Sequence, residues 1–236
     1  LKIIPKLPNA PLYSWDALIC TSKAARNAIE TIWNHSDEIL KSRGGKPAAR
    51  PQLPLIPLGV DTKVLLPKYC RKEARRKINL NEDAVVVLWT GRFELHCKAH
   101  HGSTFRAMSH ASNAVPHKKW ILLMYGTAVM PNIPKALEEA AREICPNVDV
   151  YILNGHDLEL GELARASSDV ALSLVDCLQE TFGLAPVEAM AAGLPVVVSN
   201  WDGYRDTIVN GKTGFLIETN SFDPGWNNLH NLQLST

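Results

Sequence analysis

Six short aliphatic runs, separated by stretches with a helical pattern, constrain the fold of this chain more than any other feature. The runs cover residues 84–89, 120–125, 148–153, 170–174, 195–199 and 214–217. Most contain β-branched or aliphatic residues without strict polar alternation, which is typical of strands buried on both faces. Helical patterns between them cover residues 98–113, 134–144, 158–166 and 185–192. The alternation predicts an α/β domain with a doubly wound parallel sheet and helices on both faces.

Residues 1–61 have a different pattern from the rest of the chain. Asp16 to Thr21 is typical of a buried strand, Ser22 is suited to cap a helix from Lys23 to about residue 41, and residues 53–58 form a short extended run. Two strands and one helix cannot bury a core alone. We therefore expect residues 1–61 to be the remnant of a preceding domain with its linker, and residues 62–236 to be a second domain truncated at its C-terminus.

Composition and charge restrict the class of protein. The 236 residues are 46% hydrophobic, which is enough for a substantial core, and the formal net charge of +1 argues against a nucleic-acid partner. No apolar run approaches the roughly 18 residues of a membrane span, and the first residues lack the apolar segment of a secretory signal. The five cysteines are scattered, without a C-x-x-C pair. These features predict reduced thiols in a cytoplasmic protein.

The segment from Glu180 to Pro195 carries the chemistry that we predict. It follows the fourth aliphatic run, at the carboxyl end of the expected sheet. Ligands bind there in open α/β folds, above all near a point where the strand order reverses. Gly183 allows a ligand to approach the backbone closely, and Pro186 is suited to the first turn of a helix. The free N–H groups of that turn and the helix dipole would bind an anion such as a diphosphate.

Two carboxylates flank this helix start. Glu188 lies one turn inside the helix and could accept hydrogen bonds from paired sugar hydroxyls, as an acidic residue does for ribose in dinucleotide-binding folds. Glu180 precedes the helix and would reach the other end of the same ligand. A nucleotide-diphosphate sugar has these parts in this order. The alternative is that Glu188 is solvated and merely complements the helix dipole.

This stretch resembles the E-x7-E motif of the group 1 family of retaining glycosyltransferases, which have the GT-B architecture. Further segments resemble family features in the same order along the chain: Asp16–Lys23, Pro57–Asp61, Gly91-Arg92, Ala164–Val170, Gly193–Val197 and Gly211–Gly214. The resemblance covers nearly the whole chain. It implies that residues 62–236 form the Rossmann-like, donor-binding half of a GT-B fold and that residues 1–61 are the end of the acceptor domain.

The resemblance also implies roles for individual residues. Glu188 looks like the ligand of the nucleotide ribose, and Glu180 like the carboxylate at the donor sugar and the reacting end. Arg92 and Lys98 look like the cations that hold the diphosphate and neutralise it as it leaves. Arginine offers a bidentate fork and lysine a point charge for that purpose. Further donor-binding positions are Gly91, Phe182, Gly183 and Leu184.

Some positions depart from the family pattern or allow another interpretation. Lys98 follows Cys97 and precedes Ala99, where the family commonly has Glu and Gly, so it could be a surface lysine that opens a helix. His96 and His100 have the i, i+4 spacing of zinc ligands, but no third ligand is apparent nearby, and we predict no metal site. Trp201 could edge the donor pocket or serve packing alone.

The function implied by the resemblance is retaining transfer of a sugar, in the manner of a hexosyltransferase, from a nucleotide-diphosphate donor to an unidentified acceptor. The acceptor could be a glycan, a lipid or a small molecule, and no cofactor or metal is required. We expect the chain alone to be nearly inactive and any membrane association to come from regions outside it. The alternatives are an epimerase-like GT-B enzyme and a catalytically silent nucleotide-sugar-binding domain. Contacts to the base are expected around residues 153–157.

Overall fold

A computed structural model of the chain describes residues 12–47, 49–94, 98–177 and 180–220. One six-stranded parallel sheet forms its centre, with the strand order β3-β2-β1-β4-β5-β6. The strands are β1 Val85–Phe93, β2 Trp120–Ala128, β3 Val148–Asn154, β4 Val170–Ser173, β5 Val196–Ser199 and β6 Gly214–Ile217. The helices are α1 Lys23–Ser42, α2 Thr62–Leu65, α3 Arg71–Lys77, α4 Gly102–Ala114, α5 Ile133–Ile144, α6 Leu158–Ser167, α7 Leu184–Ala191 and α8 Tyr204–Thr207. The predicted Rossmann-like α/β fold is confirmed.

The sheet separates two hydrophobic cores. Along β1, Val86 and Leu88 join one core, whereas Val87 and Trp89 join the other. Helices α6 and α7 contribute to the first core through small residues, and α4 and α5 contribute Phe105 and other side chains to the second. Because both faces of the strands are buried, their sequences contain apolar residues at consecutive positions instead of alternating ones.

The strand order reverses between β1 and β4. Strands β2 and β3 extend the sheet on one side of this pair, and β5 and β6 extend it on the other. The two central strands pair only at Val87 with Val170 and at Leu88 with Ala171, although β1 continues to Phe93. The chain therefore leaves β1 and β4 in opposite directions, which opens a crevice at their carboxyl ends.

Helix α4 begins at Gly102, four residues later than the sequence pattern predicts. The backbone N–H of His100 donates to Asp176 Oδ1 at 3.0 Å, and the N–H of Gly102 donates to His100 Nδ1 at 3.3 Å. These amides bond side chains instead of carbonyl groups one turn earlier. Lys98 consequently lies in a turn before the helix, and the prediction of a helix that starts at this residue is wrong.

Helix α3, which the aliphatic pattern does not predict, is fixed to the sheet by Arg75. This side chain is 5% exposed, and its guanidinium donates to the carbonyl oxygens of Ser167 and Ala84 at 2.9 and 3.0 Å. It also donates to Asp169 Oδ2 at 2.7 Å, and that oxygen accepts the N–H of Val86. A buried charge is tolerated here because hydrogen bonds surround it.

The described residues before α2 contain one long helix and a separate hydrophobic cluster. Helix α1 follows Ser22, whose hydroxyl accepts the Ala25 N–H as the N-cap. The strand predicted at residues 16–21 is reduced to two isolated bridges, one of them between Cys20 and Leu55. Cys20 packs with Trp33 of α1 in a separate cluster. No helix in the described part of the chain has the length and apolar character needed to cross a membrane.

Candidate active site

A cleft of about 690 Å³ opens at the carboxyl ends of β1 and β4, where the strand order reverses. The eight positions predicted from the sequence all line it: Gly91, Arg92, Lys98, Glu180, Phe182, Gly183, Leu184 and Glu188. The cleft therefore combines two cations, two carboxylates and the start of α7. This is the location at which open α/β sheets bind their ligands.

The start of α7 depends on Gly183. This residue is the N-cap and has a φ of +85°, a backbone conformation that favours glycine. A Cβ at this position would lie 2.0 Å from the ring of Tyr204, so no side chain fits. The helix thus begins at the wall of the cleft, with Leu184 and Ala185 of its first turn lining it. An anion could approach the first-turn amides here, as the sequence predicts.

Lys98 and Glu180 form an ion pair inside the cleft. Lys98 Nζ lies 3.0 Å from Glu180 Oε2 and 3.2 Å from Oε1, and the two residues come from loops that follow different strands. The Glu180 side chain is 11% exposed and the Lys98 side chain 32%. Lys98 therefore points into the cleft, in contrast to the alternative of a surface lysine that opens a helix.

Arg92 lies at the rim of the same cleft. Its guanidinium Nη1 is 3.0 Å from Glu94 Oε1, and its side chain is 56% exposed. Because the Arg92 side chain is open to solvent, this ion pair contributes little to stability. Arg92 can therefore exchange Glu94 for another anion. Both cations of the cleft thus have a carboxylate partner.

Glu188 lies on α7, half-buried in the cleft wall. Burial raises the pKa of its carboxyl group above the ordinary value, and the positive charge of Arg165 opposes this shift. Tyr125 of β2 also lines the cleft, and its hydroxyl lies 3.0 Å from the Gly155 carbonyl oxygen and 3.1 Å from that of Asp157. Gly155 also lines the cleft, within the range where base contacts are expected.

The sequence analysis missed several residues of the cleft wall. Tyr204 is 2% exposed, and its hydroxyl lies 2.8 Å from Ser173 Oγ, which belongs to the end of β4. Thr21, just before α1, also reaches the cleft. Trp201 is absent from the lining, and its indole N–H donates to the Cys177 carbonyl at 3.1 Å, so the packing alternative applies to it. Adjacency to the end of a predicted strand was the available signal for Ser173.

The histidines near Lys98 were considered as zinc ligands. His96 and Cys97 lie outside the described residues. His100 Nδ1 accepts a backbone hydrogen bond, and His101 is 2% exposed against the rings of Trp89 and Phe93. Within the described ranges, no group of three or more His, Cys, Asp or Glu residues is arranged to hold a metal ion.

Comparison with known proteins relates the chain to one family. Residues 71–224 match the sequence model described as glycosyl transferases group 1. The D-inositol 3-phosphate glycosyltransferase of Corynebacterium urealyticum is 26% identical over 205 residues, which are 85% of this chain and 47% of the relative. The protein of the same name from Stackebrandtia nassauensis is 31% identical over 169 residues, 68% of this chain and 36% of the relative. The chain thus spans less than half the length of these two curated relatives.

Solved structures share the fold. A glycosyltransferase from Rickettsia africae superposes with a TM-score of 0.67 at 18% identity, over 94% of this chain and 54% of the other. The Anabaena protein HepE, in complex with UDP and glucose, superposes with a TM-score of 0.63 at 20% identity, over 92% and 53% of the two chains. Both similarities extend over nearly all of this chain and about half of the solved chain with which it is compared.

Proposed function

Because the chain belongs to the group 1 glycosyltransferases, we propose that it binds a nucleotide-diphosphate sugar and that the protein transfers this sugar with retention of configuration. One observation carries the proposal. Two cations, two carboxylates and a helix start surround a single cleft at the switch point of the sheet. These groups complement a phosphate-rich ligand with hydroxyl groups at both ends.

The ligand lies along the cleft in a defined direction. Its diphosphate is held between the first turn of α7 and the side chains of Arg92 and Lys98, which line the cleft together. The ribose hydroxyls donate to Glu188, whose carboxylate is half-buried in the cleft wall. The donor sugar reaches Glu180, with Gly91, Phe182, Gly183 and Leu184 forming the walls.

The transfer step moves charge toward these cations. An acceptor hydroxyl oxygen bonds to the anomeric carbon as the bond from that carbon to the diphosphate oxygen breaks. The acceptor proton passes to the departing phosphate on the same face of the sugar, so configuration is retained. Negative charge develops on the diphosphate, where Arg92 and Lys98 stabilise it in place. We propose that these two side chains make a metal ion unnecessary.

The acceptor is recognised by parts of the protein other than residues 62–236. We propose that residues 1–61 are the end of that acceptor-binding domain and that residues 62–236 bind the donor. Thr21 and Leu58, which lie in the first segment, line the same cleft as the donor-binding residues. On this view the chain alone binds nucleotide but transfers little sugar, and the protein works in the cytoplasm.

Calorimetric titration of the chain with UDP, GDP and ADP, each with and without a chelator, tests the proposal. UDP is the first nucleotide to try, since HepE holds it in the same fold. We expect one nucleotide to bind saturably in the presence of chelator. Lys98→Met should weaken this binding about ten- to hundredfold, because a charged hydrogen bond to phosphate contributes about 1.5–3 kcal/mol. Lys119→Met is the matched control, since Lys119 pairs with Asp149 at the far end of the sheet.

The outcomes separate the alternatives from the proposal. Product analysis of the full-length protein with donor alone would reveal an epimerase-like activity, because the sugar would then change without transfer. Binding of nucleotide by the full-length protein without any transfer would indicate a silent binding domain. Failure of every nucleotide to bind, to the chain or to the full-length protein, would contradict the proposed donor site.

A further inference from the structure

We propose that Asp176, which lies outside the E-x7-E motif, is a positioning residue. It keeps Lys98 and Glu180 at a fixed position relative to each other while the donor is bound. Asp176 follows β4 and is exposed to solvent, and it is not part of the cleft lining. Its Oδ1 accepts the backbone N–H of His100 at 3.0 Å. The bond joins the loop after β4, which carries Glu180, to the loop after β1, which carries Lys98. The inference rests on the proposed function of the cleft.

Two polar contacts between described residues join these loops. One is the ion pair of Lys98 with Glu180, and the other is the bond from His100 to Asp176. They differ in what a donor does to them. A bound diphosphate pairs with the Lys98 ammonium, and the sugar hydroxyls donate to the Glu180 carboxylate. The ion pair between Lys98 and Glu180 is therefore broken. The Asp176 bond lies outside the cleft and persists.

The turn that Asp176 holds is short, and His100 makes further hydrogen bonds within it. His100 lies two residues after Lys98, and its carbonyl oxygen accepts the hydroxyl of Ser103 at 3.2 Å while its Nδ1 accepts the Gly102 N–H. Ala99, which lies between Lys98 and His100, is 1% exposed and lines the cleft. Because only this one packed residue separates them, a displacement of His100 moves Lys98 as well.

The chemistry of Asp176 suits this task. A carboxylate is an acceptor only, and a hydrogen bond from a backbone N–H to a charged acceptor is stronger than a neutral one. Asn keeps an acceptor oxygen at the same distance from the backbone, whereas Ala removes it. The pair of variants Asp176→Asn and Asp176→Ala therefore separates the hydrogen bond from other effects of the substitution.

A double-mutant cycle on UDP affinity tests the inference. We expect Asp176→Ala to weaken UDP binding about three- to tenfold and Asp176→Asn to remain within about twofold of wild type. If Asp176 acts through Lys98, then Asp176→Ala causes no further loss in the Lys98→Met background. Asp149→Ala, which removes a paired surface carboxylate far from the cleft, is the control and should bind UDP as wild type does. Titrations extend to millimolar UDP so that weak variants are measured.

The results distinguish this inference from the proposed function. Wild-type affinity in Asp176→Ala, failure of Asn to rescue, or losses that multiply in the double variant would each overturn the positioning role. In those cases the effect of Lys98→Met would still support the donor site. If wild type itself binds no nucleotide, the proposed function fails and this inference fails with it. Exchange of the His100 amide proton, faster in Asp176→Ala than in Asp176→Asn, would verify that the intended bond was removed.

Discussion

The Lys98 ammonium lies within 3.2 Å of both carboxylate oxygens of Glu180, 82 residues further along the chain. The ion pair bridges the crevice between the carboxyl ends of β1 and β4. Each partner is thereby held at the place where the proposed donor needs it, and each compensates the charge of the other. A diphosphate and a sugar together can replace both halves of this pair, whereas a nucleotide without a sugar replaces only one.

Glu180→Gln is expected to remove the preference for a nucleotide sugar over the bare nucleotide. The amide cannot accept sugar hydroxyls with a full charge, so the affinity gained from the sugar should fall about tenfold. Affinity for UDP itself should stay equal or rise, because Lys98 is released from its partner. Calorimetry with UDP and UDP-glucose measures both quantities.

The matched control for that variant is Glu162→Gln. Glu162 also pairs with a lysine, Lys68 at 2.8 Å, but on the surface away from the cleft. Both affinities should be unchanged in this control. An unchanged ratio of the UDP-glucose and UDP affinities in Glu180→Gln would contradict the role of Glu180 at the sugar.

Gly183→Ala is expected to lower the free energy of unfolding by about 2–4 kcal/mol and to abolish nucleotide binding. The positive φ costs about 1 kcal/mol for alanine, and the new methyl group collides with the Tyr204 ring, which costs about 1–3 kcal/mol more. Gly193→Ala isolates the backbone part, since Gly193 has a φ of +81° and no atom within 4 Å of an added Cβ. Urea unfolding of the two variants checks this, and equal losses would refute the steric argument.

Arg75→Ala is expected to destabilise the fold by about 3 kcal/mol or more, because it leaves Asp169 and three carbonyl groups without their buried donor. Arg71→Ala removes a second partner of the same carboxylate, at 3.0 Å from Asp169 Oδ1, but the Arg71 side chain is 59% exposed. That control should cost less than about 1 kcal/mol. Similar losses of unfolding free energy for both variants in urea would contradict the conclusion that burial makes Arg75 the stronger contributor to stability.

The free energy of unfolding is expected to fall as the solution is acidified, because His101 binds a proton more readily in the unfolded chain. Burial lowers the pKa of this imidazole from 6.5 to about 4, and nearby His100 lowers it while Asp176 opposes the shift. Between these values the unfolded chain binds a proton that the folded chain does not, so stability is lost as pH falls from about 6.5 to about 4. The loss due to His101 is about 3 kcal/mol over that window.

The difference between wild type and His101→Phe isolates this contribution. Neither ring nitrogen of His101 has a hydrogen-bond partner among the described residues, so an apolar ring removes two unsatisfied groups as well as the titration. The variant should show a shallower decline of unfolding free energy between pH 6.5 and 4. His101→Leu provides the same test if the larger ring does not fit. A decline as steep as that of wild type in both variants would contradict the assignment.

The sheet and the cleft could be predicted because their signals are local. Each of the six aliphatic runs became a strand, and a ligand site at the end of the fourth strand follows from parallel topology. The start of α4 could not be predicted in this way. It depends on the bond between His100 and Asp176, which are 76 residues apart in sequence. Local helical periodicity contains no information about such a contact.

Two other features could not be predicted from the sequence, for related reasons. The basic sequence of α3 suggests a solvated helix, yet Arg75 is buried against groups more than 90 residues away in sequence. Residues 16–21 have the composition of a strand, yet strand pairing needs neighbours, and the described residues provide only isolated bridges to residues 52 and 55. In both cases tertiary contacts decide the outcome over local propensity.

The most direct test of the proposed donor site is to map nucleotide binding by amide chemical shifts. Titration of the isotope-labelled 26.0 kDa chain with UDP is predicted to move the signals of Gly91, Lys98, Gly183 and Leu184, which line one cleft but lie on three separate segments. The signals of residues 138–150, which cover the second half of α5 and the start of β3 on another surface, should stay unchanged. Shifts confined to that other surface, or no shifts at millimolar UDP, would contradict the conclusion that the crevice between β1 and β4 is the donor site.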